Sequence, residues 1–201
     1  MTTGGTLPTT VAEIDLHAFR HNIHAIRQHL APTCQMLAVM KADAYGHGAV
    51  PLATIAYRQG VTWLGVARCH EGVTLRQADI RAPILVLGPT WFADIAALVA
   101  HRLTPVIGSL EEATAVQQEA RRHGLQYAVH IKIDTGMGRF GFLPEQVPAL
   151  LEHLDACANL QCEGLMTHLA CADTADPQSV QFQPAQFRTV LRHCAQRGLT
   201  P

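Results

Sequence analysis

Six short apolar segments, each followed by a longer stretch of helical periodicity, set the tightest limit on what this chain can fold into. They are "QMLAVM" (35–40), "WLGVA" (63–67), "PILVLG" (83–88), "LTPVI" (103–107), "YAVHIKI" (127–133) and "CEGLMTH" (162–168). Apolar residues run through most of them without alternation, as in strands covered on both faces. The intervening stretches keep a different period. Leu16, Phe19, Ile23, Ile26 and Leu30 recur every three or four residues in "LHAFRHNIHAIRQHL", and "SLEEATAVQQEARRHG" carries Ser109 as N-cap, Glu112 at the capping-box position and Gly124 as C-cap. Such alternation predicts parallel strands with helices outside, in either a doubly wound sheet or a (β/α) barrel. With 201 residues, one domain is expected. The last helical pattern, "QPAQFRTVLRHCAQRG", closes at Gly198 before "LTP", which in earlier units leads into a strand. Six strands are two fewer than a closed eight-stranded barrel needs, so a barrel reading predicts a sequence that has been cut.

Charge and composition narrow the partners. A formal net charge of −1 and a pI of about 6.9 provide no basic field for nucleic acid or an anionic membrane surface. No stretch approaches the roughly 20 apolar residues that span a bilayer, and "MTTGGTLPTT" lacks the basic start and apolar centre of a signal peptide, so a cytoplasmic chain is expected. Cys34, Cys69, Cys157, Cys162, Cys171 and Cys194 form no Cys-x-x-Cys pair, which suits reduced thiols better than a disulfide or zinc framework.

Four polar residues fall at or just beyond predicted strand ends: Lys41, Tyr45, Arg139 and His168. In parallel α/β folds that edge is where active sites are built. Taken singly, a lysine or arginine there is also an ordinary solvated loop residue. A lysine at the rim of an apolar pocket, however, loses its proton at modest cost and condenses with a carbonyl to a Schiff base. Gly136, Gly138 and Gly141 match the dinucleotide pattern G-x-G-x-x-G, which raises a nicotinamide dehydrogenase as one alternative. That pattern normally follows the first strand and runs into a helix, whereas here four or five strands precede it and the helix-start residue Pro144 comes after Gly141, so the match reads as accidental. His17, His21 and His24 share a helical face and read as solvated surface; His168, Cys171 and Asp173 lack a second ligand cluster. No metal is expected.

Three motifs in order and at these separations, "AVMKADAYGHGAV", "IKIDTGMGRFGF" and "EGLMTHLACAD", together with "PILVLGP" and "AEIDLHAFRHNI", resemble the N-terminal domain of the pyridoxal-phosphate-dependent alanine racemases. The resemblance implies an α/β, (β/α)8 TIM-type barrel, about six of its eight units present in residues 1–201, with a mainly β C-terminal domain absent. It implies that Lys41 holds pyridoxal 5'-phosphate as an internal aldimine and is one of two proton-transfer bases. It places Tyr45 beside the cofactor phosphate, Arg139 on the phenolic oxygen and the substrate carboxylate, and His168 against the pyridine ring, and it marks Lys132 as a candidate carbamylated lysine that orients Arg139. The opposite base is a tyrosine of the C-terminal domain supplied by the partner subunit, and an arginine on a later strand faces the pyridine nitrogen; neither lies in this sequence. The implied activity is interconversion of L- and D-alanine for peptidoglycan, in a cytoplasmic homodimer, with residues 1–201 inactive by themselves. A racemase for another small amino acid such as serine, and a non-catalytic pyridoxal-phosphate-binding protein of the same fold, are the alternatives.

Overall fold

A computed structural model of the chain describes residues 10–173 and 177–200. All six expected strands form: β1 (Leu37–Val39), β2 (Trp63–Val66), β3 (Ile84–Val86), β4 (Thr104–Ile107), β5 (Tyr127–Lys132) and β6 (Leu160–Met166). They pair in parallel, and their order in the sheet is their order in the chain. A doubly wound sheet reverses strand order at a switch point. No reversal occurs here, so the sheet is the arc of a barrel, open between β1 and β6.

The helices are α1 (Leu16–Gln28), α2 (Lys41–Gly46), α3 (Ala49–Arg58), α4 (Cys69–Gln77), α5 (Ile95–Ala100), α6 (Leu110–Arg122), α7 (Val147–Ala156) and α8 (Pro177–Gln196). From α3 to α8 each packs on the next. They therefore form one layer on the convex face of the sheet. The core lies between the two, in two clusters. Leu64, Leu75, Ile84 and Leu103 are fully buried in the first, and Val116, Val129, Ile131 and Val147 in the second. Each such aliphatic side chain contributes about 1.5–3 kcal/mol relative to exposure. At the N-terminal ends of the strands, the Arg76 guanidinium donates to the carbonyls of Ile80 and Ala82 before β3 and of His101 and Arg102 before β4, at 2.7–3.1 Å. That end is fastened by loop carbonyls; the chemistry-bearing groups are at the other.

Several boundaries differ from expectation. β1 stops at Val39 because Met40 has left the extended region (φ −111°, ψ 12°). β6 begins two residues early and ends at Met166, leaving Thr167 and His168 in the following loop. The final helix starts at Pro177 and takes Pro184 into its interior. Beyond it Leu199 donates to the Cys194 carbonyl, and no strand is present through Thr200.

Candidate functional site

Lys41 follows β1 after a single residue, and the backbone then does something its sequence does not announce. Ala42, Asp43, Ala44 and Tyr45 all have φ of 51–56° and ψ of 38–48°, so α2 is one turn of left-handed helix. In L-residues this hand costs about 1–2 kcal/mol per residue, because Cβ crowds the following carbonyl. Such backbone persists only where neighbours over-determine it. Here Ala44 N–H donates to the Met40 carbonyl and Gly48 N–H to the Asp43 carbonyl, both at 2.9 Å. The Asp43 carboxylate accepts Ala49 N–H at 2.6 Å, and the Glu71 carboxylate accepts Ala42 N–H at 2.6 Å. Gly46 and Gly48, at φ 81° and 88°, bring the chain back to the right-handed α3. The turn holds Lys41 at the rim, with its Nζ 5.6 Å from the centroid of the Tyr45 ring.

Arg139 is set by a second device. Asp134, buried just past β5, accepts Gly136 and Gly138 N–H on Oδ1 at 2.9 and 3.1 Å and Arg139 N–H on Oδ2 at 3.0 Å. Burial pushes the Asp134 carboxyl up, but the ring of backbone donors outweighs it and holds the group below the usual carboxylate range. The three glycines serve this turn. Gly136, Gly138 and Gly141 all have positive φ, no helix begins at Gly141, and the loop folds back so that Phe142 N–H donates to the Lys132 carbonyl at 2.9 Å. A dinucleotide loop has a different shape.

Lys132 is the largest fully buried side chain, 1% exposed. Its Nζ donates to the Ile133 carbonyl at 3.2 Å and lies 5.6 Å from the Phe140 ring centroid. Burial lowers its pKa, as does Arg139, while Asp134 acts in the opposite sense. His168 is exposed at the rim, and its pKa is also lowered, first by partial desolvation and then by Arg139, Lys132 and Lys41. The structure thus gathers Lys41, Lys132, Arg139 and His168 into one electrostatic neighbourhood, with Tyr45 beside Lys41. The His168 loop is fastened by Gln183 of α8, which is buried. Its amide donates to the His168 carbonyl at 3.0 Å and to Thr135 Oγ1 at 3.2 Å and accepts Ala170 N–H at 2.8 Å.

Lys41, Tyr45, Arg139 and His168, but not Lys132, line a cavity of about 970 Å³ along the concave face of the sheet. It runs from Gln35 and Trp63 to Lys41, Gly88 and His168, and its lining contains Lys41, Arg68, Arg139, His130 and His168 but no Asp or Glu. Halfway down, His130 packs on Trp63 with ring centroids 5.3 Å apart. Its buried Nε2 is 3.6 Å from the Glu163 carboxylate, too far for a hydrogen bond. Glu163 is the extra residue of a bulge between β5 and β6. Of the other sequence candidates, His17, His21 and His24 are exposed on α1 and are not among the residues that line the cavity. Glu71, Asp134 and Gln183 had not been singled out. An Asp before three closely spaced glycines is the one signal that pointed to such a turn.

Fold and cavity together define a class, an α/β barrel domain with a cation-lined pocket at the C-terminal ends of its strands. Within that class the chain belongs to the alanine racemase family: residues 14–201 match the family described as "Alanine racemase, N-terminal domain". It is 41% identical over 192 residues to an alanine racemase of Symbiobacterium thermophilum, covering 96% of this chain and 51% of that protein. It is 41% identical over 196 residues to one of Desulfovibrio desulfuricans, covering 92% and 53%. The solved structure of the Clostridium difficile 630 alanine racemase in complex with cycloserine superposes with a TM-score of 0.88 at 34% identity, over 92% of this chain and 51% of that one. The chain spans about half the length of the relatives it matches.

Proposed function

We propose that residues 1–201 form the cofactor-binding barrel part of an alanine racemase that interconverts L- and D-alanine with pyridoxal 5'-phosphate. The supporting observation is the cavity itself, lined by the cations Lys41, Arg68 and Arg139 and by no carboxylate. That lining suits a phosphorylated cofactor and an amino-acid carboxylate, both anionic. When bound, pyridoxal phosphate supplies the electron sink that makes the Cα–H of an amino acid acidic. The Lys41 amine, fixed at a strand end, would hold the cofactor at its carbonyl carbon, and as a free amine it would take and return the Cα proton on its own face. Tyr45, at the mouth, contacts the phosphate. Arg139, with its planar fork of donors, takes the phenolic oxygen and the substrate carboxylate. Partial desolvation and then Arg139, Lys132 and Lys41 lower the His168 pKa, which disfavours a further cation where an aromatic ring would stack. Lys132, whose burial favours the free amine, would add CO2: its nitrogen lone pair would bond the carbon, a proton would be released, and the carbamate anion would pair with Arg139.

Lys41 reaches one face of Cα, so inversion needs a second base on the other, which we assign to a partner subunit in a homodimer. Supply of D-alanine to peptidoglycan in the cytoplasm belongs to the same proposal; among the described residues no helix is long and apolar enough to cross a membrane. The test is borohydride reduction of the intact protein with pyridoxal phosphate, peptide mapping, and racemisation assays with L-alanine and L-serine. Label on Lys41 and a preference for alanine are expected. Label on Lys132 alone, or on no lysine, overturns the site assignment, and a preference for serine overturns the substrate.

A further inference from the structure

We propose that Glu71 is a positioning residue for Lys41, holding the left-handed turn that sets where the lysine amine sits; this rests on the reading of Lys41 as the cofactor-holding lysine. Glu71 is the third residue of α4, where a glutamate ordinarily reaches back to the helix start. Its Oε2 does so, accepting Ala67 N–H at 2.7 Å and Arg68 N–H at 2.9 Å. Its Oε1 is not needed for that cap. It crosses instead to the neighbouring unit and accepts Ala42 N–H at 2.6 Å, 29 residues away in the chain. Ala42 is both the residue after Lys41 and the first with positive φ.

Among the described residues, the other hydrogen bonds made by residues 42–45 stay within segment 40–49. Besides the packing of buried Ala44 in the core, the Glu71 contact is, among the described residues, the hydrogen bond that ties the strained run to another unit of the barrel. The molecule contains its own control. Glu112, at the third position of α6, likewise reaches back to its own helix start, accepting Gly108 N–H at 2.6 Å after β4. The two glutamates hold the same helix position, yet the crossing contact beside the lysine belongs to Glu71. One oxygen for its own helix and one for the lysine turn is a division of labour that a cap by itself does not explain.

Glu71→Gln separates the two tasks, because an amide has one accepting oxygen. With that oxygen on Ala67 and Arg68 the cap survives, and the NH2 group then faces the Ala42 N–H, donor against donor. In the intact enzyme, wild type, Glu71→Gln and Glu112→Gln are compared by the rate at which pyridoxal phosphate becomes borohydride-trappable on Lys41. Circular dichroism of the bound cofactor, kcat and KM for alanine, and the thermal midpoint complete the comparison. Glu71→Gln is expected to slow capture and lower kcat by about tenfold or more, since a misplacement of about 1 Å is enough for that, with KM changed by less than about twofold. It should also weaken the cofactor's circular dichroism. Glu112→Gln should shift the thermal midpoint and leave capture, spectrum and kcat unchanged. Adding Ala42→Gly to Glu71→Gln is expected to restore capture, because glycine takes positive φ without a clamp. Normal capture and turnover in Glu71→Gln overturns the proposal, as do equal losses in both single variants or a folded double variant that still captures slowly. If neither Glu71 variant folds, Glu71 is a fold residue and the proposal is likewise overturned. Failure of wild type to label Lys41 refutes the underlying reading instead, before any variant is compared.

Discussion

Replacing Lys132 by methionine should make the protein more stable while disabling it. Lys132 is 1% exposed, and its Nζ, which carries up to three donors, makes one hydrogen bond, to the Ile133 carbonyl at 3.2 Å. Each unmet buried donor costs about 1–3 kcal/mol, and the favourable pull of Asp134 offsets part of that. Methionine fills nearly the same space without polar hydrogens, so a net gain of about 1–3 kcal/mol is expected, in line with other buried charged groups replaced by apolar ones of similar volume. For a chain of this size that raises the thermal midpoint by roughly 2–10 °C. The pH dependence has a definite sign. Because the folded pKa is lowered from the ordinary lysine value of 10.5, the penalty carried by Lys132 is greatest below the folded value and vanishes as pH climbs to about 10.5. The advantage of Lys132→Met should therefore shrink between those limits. The assay is denaturant unfolding of intact protein in buffer stripped of CO2, repeated with bicarbonate; added CO2 should stabilise wild type and leave the variant unchanged. Turnover should fall in both buffers as Arg139 loses its neighbour. A variant less stable than wild type in the stripped buffer would refute the argument, since the amine would then be contributing stability that the structure does not account for.

Gly141→Ala should cost about 2–5 kcal/mol in thermal or denaturant unfolding, because its Cβ would lie 2.7 Å from Lys132 Cγ and 2.8 Å from the Lys132 carbonyl at φ 117°. Gly124→Ala, with φ 62° and nothing within 4 Å, should cost only about 1 kcal/mol, and equal losses at the two sites would show that the close approach is irrelevant. Asp134 has a folded pKa below 3.8, so its contribution is complete above that value and is lost as pH falls through the lower folded one; unfolding of Asp134→Asn between pH 5 and 2 should lack this acid step. Residues 1–201 expressed alone should self-associate through the open edges of β1 and β6 and should not invert alanine. A monodisperse monomer turning over on the order of 1 per second would overturn that expectation.

Strand existence and parallel pairing were legible because Leu64 and Ile84 sit in short continuous apolar runs, as strands covered on both faces do, while Val129 and Ile131 alternate with His130 and Lys132 in a β-branched segment. The choice between barrel and doubly wound sheet was not legible from alternation, since both share it; strand order decided it. Lys41, Tyr45, Arg139 and His168 could be placed at strand ends from spacing, and all four line the cavity. What spacing could not convey is how they are held. Glu71 gave no capping signal because Arg68, not Ser, Thr, Asn or Asp, occupies the N-cap of its helix. Gln183 read as an ordinary first-turn residue, although three loop groups converge on its amide. Residue preference gives no sign of the hand of residues 42–45: alanine and tyrosine prefer the other region, and the conformation is held by hydrogen bonds within segment 40–49 together with Glu71 from 29 residues away.

That left-handed turn also restricts what mutation can offer at four successive positions. Proline, locked near φ −65°, is shut out of 42–45, and valine, isoleucine and threonine are nearly so, since branching at Cβ makes positive φ an outlier. Small, acidic, amide or unbranched residues remain, whatever their chemistry. Drift in this stretch is therefore filtered by backbone shape before any question of catalysis arises, and the lysine ahead of it inherits a fixed address. An insertion or deletion within the turn would change its length and hand together, so the neighbourhood of Lys41 can vary in letters far more readily than in number.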